Sequence, residues 1–215
     1  MSGRRAGAPG LTSSQTVGPF FHGCLLRPDA RRDAIAPADA PGVRIRVEGQ
    51  VLDGDGVGVS DALLEVWQAD HAGRYHHPAD GRAGPLLDES LEAAFIGFGR
   101  VGTDAEGRFA FTTIKPGPVP FDAGSPNAKR WQAPHLCLAV FARGLLNHLF
   151  TRIYFDDEAA NADDPVLLHV PAERRDTLVA RGGEADGGER TYHVDVVLQG
   201  SDAARETVFF NLPMR

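Results

Sequence analysis

Residues 131–155 read WQAPHLCLAVFARGLLNHLFTRIYF. Two apolar runs in this stretch, residues 135–141 and 148–155, predict β-strands. The Ala142-Arg143-Gly144 sequence between them predicts a turn. This strand pair therefore predicts a β-rich fold for the chain as a whole.

The first of these strands carries two residues with chemistry of their own. His135 and Cys137 are two positions apart, so they share one face of the strand, because side chains alternate sides along a strand. That face points either into a functional site or into a hydrophobic core. Arg143 follows just beyond, in the turn.

Further strands are predicted on both sides of this pair, because their sequences alternate or are rich in apolar residues. They cover residues 43–52, 62–68, 95–101, 108–114, 191–199 and 207–212. One helix is predicted at residues 171–180, with a proline in its first turn and a glycine after its end, and a glycine-rich hairpin at 181–189. About eight strands and one short helix predict an all-β fold, a β-sandwich with long loops.

Length and composition fit one domain over residues 1–215, since the chain has 42% hydrophobic residues and can bury a sizeable core. Residues 1–14 are small and polar and are expected to form an N-terminal arm, and residues 78–94 a long loop or a short helix from Asp88. The segment SQTVGPFF, residues 14–21, is expected to be a loop that turns at Gly18-Pro19 and carries an aromatic plug.

Charge and targeting signals narrow the class of protein. The net charge is −7 and the pI about 5.6, which argues against nucleic-acid or anionic-membrane partners. Two distant cysteines, Cys24 and Cys137, do not indicate a disulfide framework. We find neither a signal peptide nor an apolar run of about 18 residues, so a cytoplasmic protein is expected.

Metal binding is the first chemistry to consider, because the chain has 8 histidines. They form no HExxH motif and no paired CxxC or EF-hand pattern accompanies them. Asp70 with His71, His76 and His77 could bind a metal, although a solvated loop explains the cluster better. His135 and Cys137 could be two zinc ligands from one strand, or the cysteine could simply fill space.

Anion binding is the second chemistry to consider. No GxSxG nucleophile motif and no GxGxxG or phosphate loop occurs. An arginine at a turn is usually solvated, but Arg143, held by Gly144 at a strand end, is suited to binding a carboxylate.

Four longer stretches carry a combined signal: LLEVWQADHAGRYHH from Leu63, FGRVGTDAEGRFAFTTIKPGP from Phe98, APHLCLAVFARGLLNHLFTRIYFDDEAANADDPVL from Ala133 and ETVFF from Glu206. Taken together, they resemble the intradiol ring-cleavage dioxygenases. The segments SQTVGPFF, FARG, NHLFTRIYFDDE and ERRDTLVA make the sequence similar to the alpha chains of the members built from two homologous chains, alpha and beta. The similarity runs over about residues 12–212.

The resemblance implies a β-sandwich in both chains, which pair and assemble into a larger oligomer. It also implies that the beta chain binds Fe(III) through two tyrosines and two histidines and opens a catechol ring with O₂. In this chain the four ligand positions are Tyr75, Val119, His135 and Cys137, and the position of a charge-stabilising arginine is Gln132. Because only two ligands are kept, the metal site is expected to be vestigial, with Fe(III) bound by the beta partner.

The resemblance further implies that this chain completes the substrate pocket of its partner. The arm, about residues 1–22, would reach the partner chain, and the pocket contributions would come from Thr16, Gly18, Pro19, Phe20 and Arg143. Phe20 stands where the family often has tyrosine. No catalytic residue is expected in this chain itself.

Two other hypotheses stay open at this stage. Residues 47–68 also resemble transthyretin-like and carbohydrate-associated sandwiches, which would make the protein a non-catalytic binding module. Alternatively, the chain could be a self-sufficient zinc or iron enzyme that uses Tyr75, His135 and Cys137.

Overall fold

The computed structural model describes residues 13–27, 32–80, 82, 95–121, 130–186, 189–200 and 202–211. Within these ranges the chain forms one α-helix, α1 (Pro19–Leu25), three short 3₁₀ helices and eleven strands. The strands are β1 (Arg44–Leu52), β2 (Leu63–Trp67), β3 (Phe98–Gly102), β4 (Arg108–Ile114), β5 (Val119–Pro120), β6 (Trp131–Gln132), β7 (His135–Phe141), β8 (Leu149–Phe155), β9 (Val179–Asp186), β10 (Glu189–His193) and β11 (Val196–Val197).

The strands form two layers that share β9. One layer has the order β3-β2-β7-β8-β9, and the other contains β9, β10, β1 and β4, with β11 beside the end of β1. Most pairs are antiparallel, but β8–β9, β1–β10 and β1–β11 are parallel. The result is a nearly closed, mostly β structure, which confirms the predicted fold class. A separate pair, β5–β6, lies off this sheet.

The hydrophobic core lies between the layers because the strands alternate as their sequences predict. Along β1 the buried and half-buried residues alternate strictly, with Ile45, Val47 and Val51 fully buried. On β7 the core takes Leu136, Leu138 and Val140. His135 and Cys137 therefore lie on the face of β7 that points away from this main core, which is the first requirement for a site.

Three of the strand predictions need correction. The strand expected at 95–101 begins at Phe98. The strand expected at 191–199 is two strands, β10 and β11, interrupted at residues 194–195. Residues 207–211 form no strand, since the backbone bonds Thr207 N to Val197 O and Phe210 N to Phe150 O do not extend into a ladder. Residue 212 lies outside the described residues.

The predicted helix at 171–180 is also wrong as an α-helix. Ala172–Leu178 forms a 3₁₀ helix, and Val179 already begins β9, which takes up most of the predicted hairpin. Parallel pairing of Tyr154 with Val179 and of Phe155 with Ala180 explains why the helix stops. The helix suggested from Asp88 and the first twelve residues of the arm lie outside the described residues. No helix among the described residues is long and apolar enough to cross a membrane.

Candidate functional site

The outer face of β7 brings together most of the positions that correspond to iron ligands. Tyr75, in the loop after β2, stacks on Trp67 with ring centroids 6.0 Å apart and an interplanar angle of 5°. Trp67 pairs with Cys137 across β2–β7. The Tyr75 hydroxyl consequently lies 4.0 Å from the Cys137 Sγ.

The other two predicted positions meet on the small β5–β6 pair. Val119 lies directly opposite Gln132 and is only 5% exposed. The Gln132 amide nitrogen donates to the Pro120 carbonyl at 3.3 Å, and its oxygen accepts from Arg152 Nη1 at 2.7 Å. Gln132 therefore links the β5–β6 pair, which contains Val119, to β8. The glutamine forms these hydrogen bonds as a neutral side chain.

His135 is buried, at 1% exposure, and is held in one orientation. Its Nδ1 lies 2.7 Å from the Ala133 carbonyl oxygen, so Nδ1 carries the proton and donates. Its Nε2 has no hydrogen-bond partner among the described residues. Burial, reinforced by the positive charge of Arg152, lowers the pKa of His135 to about 4, so the ring is neutral near pH 7.

Arg152 is the residue that the sequence interpretation missed. It lies on β8 directly opposite Cys137, and its Nη1 also donates to the Tyr154 hydroxyl at 3.3 Å. Tyr154 in turn donates to Asp164 at 3.1 Å. Asp164 is fully buried and accepts three backbone N–H bonds, so the chain from Gln132 through Arg152 to Asp164 is continuous.

Burial decides the protonation of the remaining groups. It raises the pKa of the Cys137 thiol, although Arg152 and Tyr75 act against it. It also raises the pKa of the Tyr75 phenol, with Cys137 adding to the effect. The pKa of Tyr154 is raised for the same reason. Near pH 7 the thiol and both phenols are therefore protonated.

This donor set does not fit Fe(III). A hard ferric ion favours anionic oxygen ligands, whereas the four ligand-equivalent positions hold one tyrosine, one histidine, one cysteine and a valine. The Arg152 guanidinium adds a positive charge that cannot be neutralised. No group of three or more His, Cys, Asp or Glu residues in the described part of the chain is placed to hold a metal. The hypothesis of a self-sufficient enzyme at Tyr75, His135 and Cys137 receives no support.

The histidine-rich loop after β2 has a structural explanation. The Asp70 carboxylate accepts the backbone N–H groups of Ala72 and Arg74, both at 2.9 Å, and pairs with the Arg74 side chain. His77 Nδ1 accepts the backbone N–H of Ala79 at 3.1 Å. These bonds shape a turn and leave Asp70 no role as a ligand, which favours the solvated loop.

The second group of predicted residues lies at the other end of β7. The Gly144 N–H donates to the Thr16 hydroxyl at 2.8 Å, and Ser14 donates to Asn147 at 3.1 Å. Phe21 packs on Phe141 with ring centroids 5.4 Å apart. The chain before α1 and α1 itself therefore lie on the turn after β7. We call residues 13–25 and 142–147 the arm–turn surface.

Within the arm–turn surface, Thr16 contacts Gly144, the residue after Arg143. The turn predicted at Gly18-Pro19 coincides with the start of α1, because Pro19 is its first residue, a position that suits proline. Phe20 does not plug anything, since it is 81% exposed. The plug is Phe21, one residue later.

Arg143 is less free than the sequence suggested. Its Nε donates to the carboxylate of Asp61, in the loop before β2. The Arg143 side chain nevertheless stays 63% exposed. Asp61 is 82 positions away in sequence, so no local pattern could have revealed it as a partner. Arg152 could have been found, because pairing the two predicted strands places it opposite Cys137.

Comparison with known proteins places these features in a family. A family model described as "Dioxygenase" matches residues 18–200. The protocatechuate 3,4-dioxygenase alpha chain of Burkholderia cepacia is 46% identical, covering 94% of this chain and 97% of that one, and the alpha chain of Pseudomonas putida is 43% identical over 93% and 96%. The chain belongs to the intradiol ring-cleavage dioxygenase family.

Other intradiol dioxygenases match less closely. The protocatechuate 3,4-dioxygenase beta chain of Burkholderia cepacia is 37% identical over 88% of this chain and 76% of that one. The dioxygenase domain of a carbohydrate-binding fusion protein from Streptomyces sp. SirexAA-E has a TM-score of 0.58 at 27% identity, over 87% of this chain and 97% of that one. The predicted resemblance to an intradiol dioxygenase, and within it to alpha chains, is confirmed. Membership of this enzyme family favours an enzyme subunit over a free binding module.

Proposed function

We propose that this chain is the alpha subunit of a protocatechuate 3,4-dioxygenase. Together with a homologous beta chain it would cleave protocatechuate with O₂ between the two hydroxyl-bearing carbons, giving 3-carboxy-cis,cis-muconate in the β-ketoadipate route. The observation that carries the proposal is similarity over almost the full length of two alpha chains, at higher identity than to a beta chain.

The residues around His135 and Cys137 support a division of labour between the two chains. Enzymes of this family depend on iron, and the donor set around His135 and Cys137 does not fit a ferric ion. We therefore assign Fe(III), and the oxidative chemistry it supplies, to the beta partner. The chain described here would contribute no catalytic residue, and Tyr75 and His135 would be remnants that pack and hydrogen-bond.

The contribution of this chain to substrate binding would come from the arm–turn surface. The Thr16 hydroxyl accepts a hydrogen bond from the N–H of Gly144, the residue after Arg143, and so holds this turn beside the segment that precedes α1. An exposed guanidinium at that place suits the carboxylate of protocatechuate. Gly18, Pro19 and Phe20 would form an adjoining pocket wall, and Phe20 would do so without the hydroxyl of a tyrosine.

The same proposal covers the organisation of the chain. We infer one dioxygenase domain over residues 1–215, with an arm of about 22 residues that reaches the partner, in a cytoplasmic alpha–beta oligomer. Phe20 and Leu146 both belong to the arm–turn surface and are 81% and 61% exposed, which supports a partner there, because solvent-exposed large apolar residues are typical of interfaces.

The test is to purify the chain alone and after co-expression with the beta chain. We expect the chain alone to contain no stoichiometric iron and to consume no O₂ with protocatechuate, and the complex to do both. A chain that is purified alone, shows a tyrosinate-to-iron absorption band and cleaves protocatechuate would overturn the proposal.

A further inference from the structure

The β7–β8 pair holds a cation in the pocket where the family's metal ligands converge. Arg152 lies directly opposite Cys137, and Cys137 lies 4.0 Å from the Tyr75 hydroxyl. The Arg152 guanidinium reaches Gln132 at 2.7 Å and the Tyr154 hydroxyl at 3.3 Å. Two of the four ligand-equivalent side chains, Tyr75 and Cys137, therefore adjoin this arginine.

The hydrogen bonds of Arg152 go to uncharged groups. Its acceptors are the Gln132 amide oxygen and the Tyr154 hydroxyl, and the Asp164 carboxylate accepts from that hydroxyl in turn. The cation is thus held beside Cys137 and Gln132, two positions of the family's metal site.

We infer that the Arg152 guanidinium takes the place of the metal cation in this pocket, so that restoring the missing ligands alone would not restore metal binding. A guanidinium stays protonated at any pH at which the protein is folded. The arginine that the family keeps near its metal stands at position 132, whereas Arg152 lies directly opposite the ligand position Cys137. A metal cation bound between the ligand positions would therefore meet the charge of Arg152 at close range, where like charges repel strongly. The charge of Arg152 therefore opposes metal binding in addition to the loss of ligands.

This inference rests on the family membership and on the geometry of the pocket. It does not depend on the identity of the substrate or on the beta partner. Failure of the proposed function would therefore leave it intact, and its own failure would leave the proposed function intact.

The test compares three variants of the full chain. V119Y/C137H restores the two-tyrosine, two-histidine set, V119Y/C137H/R152Q also removes the charge, and V119Y/C137H/R152K keeps a positive charge as the matched control. After loading with ferric iron and desalting, we expect at least about tenfold more iron per chain in the variant with R152Q than in the other two. Only that variant should show a tyrosinate-to-iron band in the visible spectrum.

Two results would overturn the inference. Equal iron binding by V119Y/C137H with and without R152Q would mean that Arg152 is no barrier. Absence of iron from a folded V119Y/C137H/R152Q, with unchanged circular dichroism, would mean that the pocket is not arranged around a metal position at all.

Val119 is buried, so a tyrosine at this position could prevent folding. The comparison is then made between C137H and C137H/R152Q, with Zn²⁺ as the probe and calorimetry as the measurement. These variants offer Tyr75 and two histidines. At least about tenfold tighter Zn²⁺ binding with R152Q supports the inference, and equal affinity overturns it.

Discussion

At the scale of single residues, the two ends of β7 have opposite characters. At its start, His135 and Cys137 face a half-buried pocket in which a neutral network surrounds one guanidinium. At its end, Arg143 is exposed and paired with a carboxylate on the surface. Seven residues of extended strand separate the two ends by about 20 Å, so changes at one end should leave the other undisturbed.

Arg143→Ala tests the exposed end. The Arg143–Asp61 pair is largely solvated, so its loss should change the free energy of unfolding by about 1 kcal/mol at most. In the assembled enzyme we expect KM for protocatechuate to rise about tenfold, because a charge-assisted hydrogen bond to the carboxylate is lost. Arg143→Lys is the matched control and should recover part of the affinity. An unchanged KM in Arg143→Ala would remove this residue from the pocket.

His135 tests the buried end. Its pKa is about 4 in the folded chain and about 6.5 when unfolded, so between these values the unfolded chain binds more protons. Stability contributed by the neutral ring is therefore complete above pH 6.5 and is lost as the pH falls toward 4. The loss reaches about 3 kcal/mol, as an order of magnitude.

The measurement is urea unfolding at pH 7 and pH 4.5. His135→Gln should be less stable than the parent at pH 7, because it disturbs buried packing, and should lose less stability on acidification. His193→Gln is the control, since His193 is 58% exposed at its side chain, and it should keep the full pH response of the parent. Identical pH responses of His135→Gln and the parent would show that the ring is not held neutral.

At the scale of elements, alternation of apolar residues predicted β1, β2, β4, β7 and β8 well, because each has one face on the core. Sequence patterns failed to predict the segments whose secondary structure depends on tertiary contacts. Residues 172–178 have helix-forming composition, but parallel pairing of Val179 beside Tyr154 ends the helix in a 3₁₀ turn. The continuous strand expected at 191–199 breaks because Val194 N donates to Glu48 O and Asp195 accepts from Gln50 N.

The predictions for the site also divide into residues that sequence motifs reveal and residues that only tertiary contacts reveal. The ligand-equivalent positions and Arg143 were recognised through family motifs, which the folded chain brings into two groups. Asp61 and Asp164 were not recognised, because their partners lie far away in sequence and neither residue belongs to a local pattern. Arg152 was within reach, since it follows from pairing two strands that the sequence predicts.

Gly49→Ala tests the element boundary at residues 194–195. A Cβ on Gly49 would lie 1.7 Å from the Val194 carbonyl oxygen, so either β1 or the break between β10 and β11 has to shift. We expect a loss of about 2–3 kcal/mol in the free energy of unfolding. Gly23→Ala in α1 is the control, because nothing lies within 4 Å of its added Cβ, and it should be neutral or slightly stabilising. Equal effects of the two changes would mean that β1 accommodates the methyl group freely.

At the scale of the whole molecule, the arm–turn surface exposes large apolar side chains to solvent. Leu146 is 61% exposed there, and Val57, in the turn after β1, is exposed to the same extent at a different place. Substituting aspartate for Leu146 and for Val57 therefore separates an effect on the interface from a general effect of the added charge.

Leu146→Asp should weaken assembly with the beta chain, because a carboxylate would have to be desolvated at the contact, by about 1–3 kcal/mol. Val57→Asp should assemble like the parent. Size-exclusion chromatography with light scattering measures the fraction of complex at several concentrations. Assembly that is equally good in both variants would place the partner on another surface.

The shared strand β9 also determines when the chain can fold during synthesis. β1, near residue 45, can pair with β10, near residue 190, only after that later segment is made, and β9 pairs with a strand of each layer. Contacts so far apart in sequence slow folding and leave apolar strand faces uncovered until late. A nascent chain that ends before residue 179 therefore carries two unfinished half-sheets with open edges. Strands β9, β10 and β11, in about the last sixth of the chain, complete both half-sheets and so protect the preceding five sixths from aggregation and proteolysis.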